Sequence, residues 1–423
     1  MMVKIARGLD LMPQKPIYVL LSFAKESGII SLGVGEPNFK APQEAIAAAM
    51  KSLKSGDTHY TPDPGTIQMR EAILKKTRRD NRFEFNPESE VIVTSGSSAA
   101  LFGTVLAIVE AGDEVIVPAP AYLAYEPIIR FTGAKPVFVP ANEENEFIPT
   151  IEDIAALVTP NTKAMIVCSP NNPTGSVWSK SSLRAVADLA IDHDFYVISD
   201  ELYERIVYDG IKAFSIASFD DMKENAITIN GVSKSYAMTG LRVGWVIGSA
   251  RVIDAYRKIH QYTAICASVT SQAASTVALN ECEYHVQKMV SEYDRRRRLL
   301  IDRINSKIPL MSVISPKGSF YMFVNVKELV SKYQKEMVEY LRSQKAQSFY
   351  EKLPDVGKQW IGEGDSGSKI STLYLVAKAK TLTAPGVAFG QIGEDFLRVS
   401  FAQEYGLIEK ALDNIQDVLE LWG

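Results

Sequence analysis

The sequence predicts an α/β fold in which a large domain with a mostly parallel sheet is flanked by helices and joined to a smaller α+β domain. Between residues 91 and 199, short aliphatic and β-branched runs alternate with longer helical segments, as consecutive βαβ units require. After residue 283 this alternation stops and a long helical pattern begins. A chain of 423 residues is too long for one simple core. We expect a large domain over residues 46–289 and a small domain formed by residues 1–45 and 290–423.

Composition excludes several classes of protein. Hydrophobic residues make up 46% of the chain and charged residues 23%, which are ordinary globular values. The net charge of −4 provides no basic surface for nucleic acid. Cys168, Cys266 and Cys282 form no CxxC pair and the histidines no HExxH motif, so we expect a reducing compartment and no metal site. The apolar run Ile17–Ala24 is too short to span a membrane, and we expect a cytoplasmic protein in which this run packs as a helix.

In the first ninety residues the pattern predicts helices separated by turns, with one short strand. After the first helix these are strand Ile29–Leu32, the glycine-rich turn Gly33–Pro37, helix Pro42–Leu53, loop Thr58–Gly65 and helix Ile67–Asp80.

The next part of the chain supplies the strands of the sheet and their helices. The strands are Val91–Thr94, Glu114–Val117, Pro136–Val139, Lys163–Cys168, Tyr196–Ser199, Ile227–Ile229 and Val243–Ile247. The helices are Ala99–Val109, Tyr122–Phe131, Ile151–Val158 and Ser181–Asp192. In sheets of this kind, ligands bind beyond the carboxyl ends of the strands.

The final third begins with helix Tyr284–Ile304, which contains the run Arg295–Arg298. Such a run could bind an anion, but we interpret it as a solvated helix face. Residues 327–380 include the segment Gly362–Gly367 (GEGDSG). This composition favours a flexible surface loop over a substrate lid.

Polar residues follow several of the predicted strands. Ser95–Ser98 can present N–H groups and hydroxyls to a phosphate at a helix N-terminus, or simply cap that helix. Asn172 lies in a turn and can donate to a ligand oxygen. Asp200 follows an apolar strand, and Tyr203 shares its side if a helix begins there.

The stretch from Ala226 to Trp245 adds two cations to this edge of the sheet. Lys234 follows a strand that ends at Gly231, and Arg242 comes eight residues later. A lysine amine forms Schiff bases with carbonyls, most readily when its pKa is lowered. A guanidinium binds phosphate oxygens as a fork.

Together these groups meet the requirements of pyridoxal 5'-phosphate (PLP), which uses a lysine, a carboxylate for its ring nitrogen, donors to its phenolic oxygen and an anion cradle. The motifs SPNNPTG (residues 169–175), SDELYE (199–204) and SKSYAMTGLRVGW (233–245) complete the pattern. In the order and spacing of these motifs, the chain resembles the fold-type-I PLP-dependent aminotransferases. The resemblance is specifically to the class I group, which includes aspartate, aromatic and alanine aminotransferases. The resemblance covers nearly the whole chain except roughly residues 327–380.

The resemblance implies how the cofactor is held. Lys234 matches the family's Schiff-base lysine, which also moves the substrate proton. Asp200 matches the carboxylate that pairs with the ring nitrogen, and we expect this carboxylate to stay ionised. Asn172 and Tyr203 match the donors to the phenolic oxygen. Tyr122 lies where the family has the ring that stacks on the cofactor, a position often held by Trp.

The resemblance also implies a phosphate site shared between subunits. Ser97, Ser98 and Arg242 match the phosphate cradle. Tyr60 matches a tyrosine that reaches the phosphate of the neighbouring subunit's cofactor, which implies a homodimer with shared active sites.

For the substrate, Arg398 in FLRVSFA (residues 396–402) matches the arginine that binds the α-carboxylate, together with Asn172. Gly35, in GEPNF (residues 35–39), matches a backbone turn that closes over the substrate. Some dicarboxylate-specific relatives have a lysine at the position of Ser98, so we expect broad specificity, with aromatic donors and aspartate both used and 2-oxoglutarate as acceptor.

Three other functions compete with this prediction. A carbon–sulfur lyase of the same fold would use the same cofactor residues. A dinucleotide oxidoreductase lacks support because no GxGxxG follows the first strand. A DNA-binding regulator would need an appended basic domain, and only about thirty residues precede the GEPNF turn.

Overall fold

The computed structural model describes residue 12 and residues 16–422 of the chain. Over these residues the helices are α1 Pro16–Glu26, α2 Gln43–Lys54, α3 Ile67–Lys76, α4 Ser97–Ile108, α5 Tyr125–Phe131, α6 Ile151–Ala155, α7 Lys180–Asp192, α8 Ala250–Thr263, α9 Val269–Glu281, α10 Glu283–Lys307, α11 Lys327–Arg342, α12 Gln347–Lys352, α13 Asp355–Glu363, α14 Gly367–Ala379 and α15 Tyr405–Leu419. The strands are β1 Ile30–Ser31, β2 Val91–Thr94, β3 Glu114–Ala119, β4 Lys135–Pro140, β5 Thr162–Cys168, β6 Tyr196–Asp200, β7 Ala226–Gly231, β8 Gly244–Ile247, β9 Tyr321–Asn325, β10 Thr381–Leu382, β11 Ala384–Pro385 and β12 Phe396–Ser400.

The central element is a seven-stranded sheet in the order β2-β8-β7-β6-β5-β3-β4. The pairs from β4 through β7 are parallel, and β8 runs antiparallel to both of its neighbours. All strands except β8 therefore end at the same edge, and β8 begins there. This confirms the predicted α/β fold with a mostly parallel sheet.

Both faces of this sheet are covered, because successive strand residues point to opposite sides. Ile166 on β5 belongs to a core cluster shared with α4, α5 and α8. Its neighbours Met165 and Val167 belong to a different cluster, shared with α7. Burial on both faces explains why the strands read as continuous aliphatic runs rather than alternating ones.

A second sheet of three antiparallel strands, in the order β11-β12-β9, lies in the C-terminal part of the chain. Strands β9 and β12 share a core cluster with α10, α11, α14 and α15. The N-terminal segment joins this region, because β1 pairs in parallel with β10 through Ile30 and Thr381. The mixture of strands and helices agrees with the predicted α+β character.

The N-terminal apolar run forms a helix that packs on the rest of the protein, as predicted. Leu20 and Ala24 on α1 are buried in the C-terminal core cluster. Among residues 12 and 16–422, no helix combines the length and apolar character that crossing a membrane requires.

The start of one predicted helix was wrong. We expected a helix from Tyr122, but α5 begins only at Tyr125. Ala121 continues an extended segment, since its N–H donates to the carbonyl of Phe389. Tyr122 consequently lies on the turn between strand and helix rather than in the helix.

The interpretation of Arg295–Arg298 as a solvated face was wrong for two of its four residues. Arg295 and Arg298 are exposed, but the side chains of Arg296 and Arg297 are only 4% and 3% exposed. Arg297 pairs with Asp294 and also with Asp209 from outside the helix. Successive residues are turned by about 100° around a helix, so a run of four necessarily reaches both its solvent and its core sides.

The prediction of a flexible loop at residues 362–367 was also wrong. Gly364 ends α13 in the left-handed conformation, with φ of 67°. Ser366 then caps α14 by accepting from the N–H of Lys369. Gly367 lies so close to α11 that a Cβ there would be 2.4 Å from a methyl of Val330. The segment is a tight turn between packed helices.

Candidate active site

The common edge of the seven-stranded sheet forms a cavity of about 230 Å³. It is lined by ten of the eleven site residues predicted from the sequence: Gly35, Ser97, Ser98, Tyr122, Asn172, Asp200, Tyr203, Lys234, Arg242 and Arg398. No described residue between 327 and 380 lines it, so the helices of that segment do not cover the cavity. The parallel strands explain the convergence, because five of these residues lie at or just beyond strand ends: Ser97, Tyr122, Asn172, Asp200 and Lys234.

Lys234 lies just beyond β7, with its amine inside the cavity. Its Nζ donates a hydrogen bond to the carbonyl of Gly35 at 2.6 Å. Burial lowers the pKa of Lys234 from 10.5 to about 8, with the nearby guanidinium groups of Arg398 and Arg242 adding to the shift and Glu36 opposing it. Near neutral pH such an amine can both accept and release a proton.

Asp200 ends β6 and is buried beneath the cavity. Its Oδ2 accepts a hydrogen bond from the Tyr125 hydroxyl at 2.7 Å, and Oδ1 accepts from the N–H of Leu202 at 3.3 Å. Burial raises the pKa of Asp200, while these hydrogen bonds and the charge of Lys234 lower it in part. The hydrogen bonds and the charge of Lys234 therefore do not fully offset the burial of the carboxylate, and a cationic ligand would stabilise its charged form.

A cradle for an anion forms where α4 begins. Gly96 precedes the helix with φ of 87°, and a Cβ there would lie 2.5 Å from a terminal nitrogen of Arg242. A Cβ on Gly244 would lie 2.5 Å from the backbone nitrogen of Ser97. These two glycines let a guanidinium approach the exposed N–H groups of a helix N-terminus, an arrangement that favours phosphate.

Arg398 lies on β12, with only 5% of its surface exposed. Its Nη1 donates to Oδ1 of Asn172 at 2.9 Å, and its Nη2 donates to the carbonyl of Gly33 at 2.7 Å. Its Nε is buried and has no hydrogen-bond partner among the described residues. A buried, unpartnered N–H on a cation costs free energy unless a ligand accepts from it.

Sequence reasoning missed several residues that build the site. Tyr125 holds Asp200, and Tyr321 lines the cavity beside Arg398 and Tyr203. The hydroxyl of Ser233 is buried in the cavity wall without a partner among the described residues. Only Ser233 had a sequence signal, its place next to Lys234; the tyrosines reach the site through strand pairing and a helix start.

Tyr60 is the predicted residue that lies outside the cavity. Its surface is 79% exposed, on the loop that precedes α3. This loop is held against α8, because Asp63 pairs with Arg257 at 3.0 Å and accepts from Gln261 at 2.9 Å. Tyr60 does not line the cavity of its own chain, and its role across subunits stays a prediction.

Comparison with known proteins shows the family to which the chain belongs. The family model described as aminotransferase class I and II matches residues 27–415, and the chain belongs to this family. The chain is 38% identical over 414 residues to an aspartate aminotransferase of Pyrococcus abyssi, covering 97% of each sequence. It is 36% identical over 395 residues to aromatic-amino-acid aminotransferase 2 of Thermococcus litoralis, covering 93% of this chain and 92% of the relative.

Solved structures agree. The aromatic aminotransferase from Pyrococcus horikoshii superposes with a TM-score of 0.81 at 36% identity, over 95% of this chain and 99% of that one. The protein is a PLP-dependent aminotransferase. The residues present fit the cofactor: an amine with a lowered pKa, a buried carboxylate in need of positive charge, and a helix N-terminus with an arginine beside it.

Proposed function

We propose that this aminotransferase transfers amino groups from aromatic amino acids and from aspartate to 2-oxoglutarate in a ping-pong cycle. The observation that carries the assignment of roles is the convergence of Lys234, Asp200 and Arg398 on one cavity.

PLP, when bound, supplies an electron sink for negative charge that develops at the substrate α-carbon. Asp200 would hold its ring nitrogen, and Asn172 and Tyr203 would donate to its phenolic oxygen. Tyr122 would stack on the ring. Lys234 would bind the cofactor covalently and then use its Nζ to move the proton of the α-carbon.

Ser97, Ser98 and Arg242 would bind the phosphate at the start of α4. Arg398 would bind the α-carboxylate of every substrate, because its Nε has no acceptor among the described residues and its fork is already oriented by Asn172 and Gly33. The Gly35 backbone, which already accepts from Lys234, would close over the substrate.

The lining of the cavity supports aromatic donors. Among the described lining residues the cations are Lys234, Arg242 and Arg398, and each has an assigned role. A distal carboxylate therefore finds no unassigned cation among the described residues that line the cavity. It needs a cation from a second subunit or must stay solvated by water. An aromatic side chain can instead pack on apolar wall residues such as Leu21 and Leu123.

Steady-state kinetics with 2-oxoglutarate as acceptor tests this specificity. We expect kcat/KM for tyrosine and phenylalanine to be at least comparable to that for aspartate. A preference for aspartate of about a hundredfold over both aromatic donors, which corresponds to about 2.7 kcal/mol, would refute broad specificity. The same preparations distinguish the carbon–sulfur lyase alternative, because a lyase would release pyruvate and ammonia from cystathionine without an acceptor.

We also propose that the protein is a homodimer in which Tyr60 reaches the phosphate site of the other subunit. Its exposure and the anchoring of its loop through Asp63 and Arg257 support this role. We propose domains at residues 46–289 and at residues 1–45 with 290–423, joined by the continuous helices α2 and α10.

A cytoplasmic location is proposed because Cys168, Cys266 and Cys282 are all free thiols, as is usual in a reducing compartment.

A further inference from the structure

Tyr321 begins β9 and lies on the cavity wall between two residues with proposed ligand-binding roles. In the pairing of β9 with β12, Tyr321 is opposite Ser400 and Arg398 is opposite Phe323. Tyr321 and Arg398 are therefore diagonal neighbours on one face of the sheet, close enough for long side chains to touch. The register of two strands thus brings this ring to the substrate-binding arginine.

The ring of Tyr321 contacts the guanidinium of Arg398. The Cζ of Arg398 is 4.4 Å from the centroid of Tyr321 and 4.8 Å from the centroid of Phe389. Both contacts are within the range of cation–π attraction, which is strongest for desolvated groups such as this one. Two rings and the hydrogen bonds to Asn172 and Gly33 together fix the plane of the guanidinium.

The hydroxyl of Tyr321 has a different neighbour. It lies 3.1 Å from the hydroxyl of Tyr203, and the two rings meet edge to face at 5.7 Å. When Tyr203 donates to a ligand, its oxygen is free to accept from Tyr321, and a donor that accepts a hydrogen bond becomes a stronger donor. Gly35 provides the necessary space, because a Cβ there would lie 2.1 Å from the Tyr321 hydroxyl oxygen.

We propose that Tyr321 is a positioning residue for both ligands: its ring orients Arg398 for the substrate α-carboxylate, and its hydroxyl orients Tyr203 for the phenolic oxygen of the cofactor. The inference rests on the proposed roles of Arg398 and Tyr203. It predicts that removal of the ring changes substrate binding and that removal of the hydroxyl changes cofactor binding, because the ring contacts Arg398 and the hydroxyl contacts Tyr203.

Three variants separate the two effects. Tyr321→Phe keeps the ring and removes the hydroxyl, Tyr321→Leu removes both, and Phe389→Leu is a matched control that removes a ring from Arg398 without touching Tyr203. The readouts are KM for each amino donor and the Kd of the cofactor-free protein for pyridoxamine 5'-phosphate. This probe has the same phenolic oxygen and forms no covalent bond with Lys234. Thermal unfolding verifies that each variant is folded.

For Tyr321→Phe we expect Kd for the probe to rise by roughly threefold to tenfold and KM to change by less than about twofold. Tyr321→Leu should raise both quantities, with KM rising by roughly threefold to thirtyfold for all donors alike. Phe389→Leu should raise KM and leave Kd unchanged. In a Tyr203→Phe background, Tyr321→Phe should no longer change Kd, because its acceptor is gone.

An unchanged Kd in Tyr321→Phe, or a Kd effect that persists without the Tyr203 hydroxyl, would overturn the hydroxyl's role. Equal KM values in Tyr321→Phe and Tyr321→Leu would overturn the ring's role. Arg398→Lys and Tyr203→Phe test the underlying assignments separately. If Arg398→Lys leaves KM unchanged, or Tyr203→Phe leaves Kd unchanged, the proposed function fails rather than this inference alone.

Discussion

Lys234 should destabilise the cofactor-free protein, and replacing it with an apolar residue of similar size should make that protein more stable. Burial lowers the pKa of Lys234 from 10.5 to about 8. At pH 7 the amine is protonated in both the folded and the unfolded chain, but the folded chain must keep that charge in a poorly solvated place. Lys234→Met removes the charge and retains most of the side-chain volume.

The size of the effect follows from the shift in the pKa. Each pKa unit corresponds to about 1.4 kcal/mol, so the charged amine costs the folded state about 3 kcal/mol at pH 7. The variant also loses the hydrogen bond to the Gly35 carbonyl, which offsets about 1 kcal/mol. We therefore expect Lys234→Met to raise the free energy of unfolding by about 2 kcal/mol at pH 7.

The sign of the pH dependence provides an independent check. Between the folded pKa of about 8 and the ordinary value of 10.5, the unfolded lysine binds a proton that the folded one does not. The stability contribution of Lys234 therefore rises with pH through this window and is lowest below it. The advantage of Lys234→Met should shrink steadily as the pH is raised from 8 towards 10.5.

Urea unfolding of cofactor-free protein at pH 7 and pH 9.5, at one protein concentration, measures this difference. Lys212→Met is the control, since Lys212 is exposed and its replacement should change stability equally at both pH values. The reasoning is refuted if Lys234→Met is no more stable than the parent at pH 7, or if its advantage does not depend on pH.

Asp200→Asn should reduce the rate of the amino-transfer half-reaction, measured in single turnovers, by orders of magnitude. The unfolding midpoint of the cofactor-free protein should stay unchanged or rise, because the buried charge is removed. A variant with near-normal turnover would show that the carboxylate is structural. Homodimers of Tyr60→Ala and homodimers of Lys234→Ala should each be impaired. Mixing the two variants should restore activity, because one site of the heterodimer then has both the tyrosine and the lysine. Failure to restore activity on mixing would exclude a shared site. Arg297→Ala should lower the free energy of unfolding by about 3 kcal/mol, because it removes a buried guanidinium that pairs with Asp294 and Asp209. Arg298→Ala should change it by less than about 1 kcal/mol, because the Arg298 side chain pairs with the same carboxylates but is exposed. Equal losses in urea titrations would contradict the observed burial.

Most of the site could be predicted because its residues are local to strand ends. Asn172, Asp200 and Lys234 each follow a recognisable aliphatic strand, and a parallel sheet brings such ends together regardless of the details of packing. The motif resemblance then named the same residues. Neither argument required knowledge of how distant parts of the chain meet.

The residues that sequence reasoning missed depend on that knowledge. Tyr321 contacts Arg398 only because β9 and β12 pair in one particular register, and a shift by one residue would turn Tyr321 to the other face. Tyr125 reaches Asp200 from the first position of α5, a helix that starts three residues later than predicted. Arg297 is likewise buried in an ion pair with Asp209, a residue that is distant in sequence.

Three charged groups of the cavity share one property that connects the fold to the reaction. Burial lowers the pKa of the Lys234 amine and raises the pKa of the Asp200 carboxyl, and both shifts oppose the charged form. Arg398 has a buried Nε without a partner among the described residues. Each group is thus left short of a counter-charge or an acceptor that the cofactor and the substrate carboxylate can provide. Ligand binding relieves these costs. Because the sheet and helices bury the groups, ligands with complementary charges gain more binding free energy in this cavity than other ligands do.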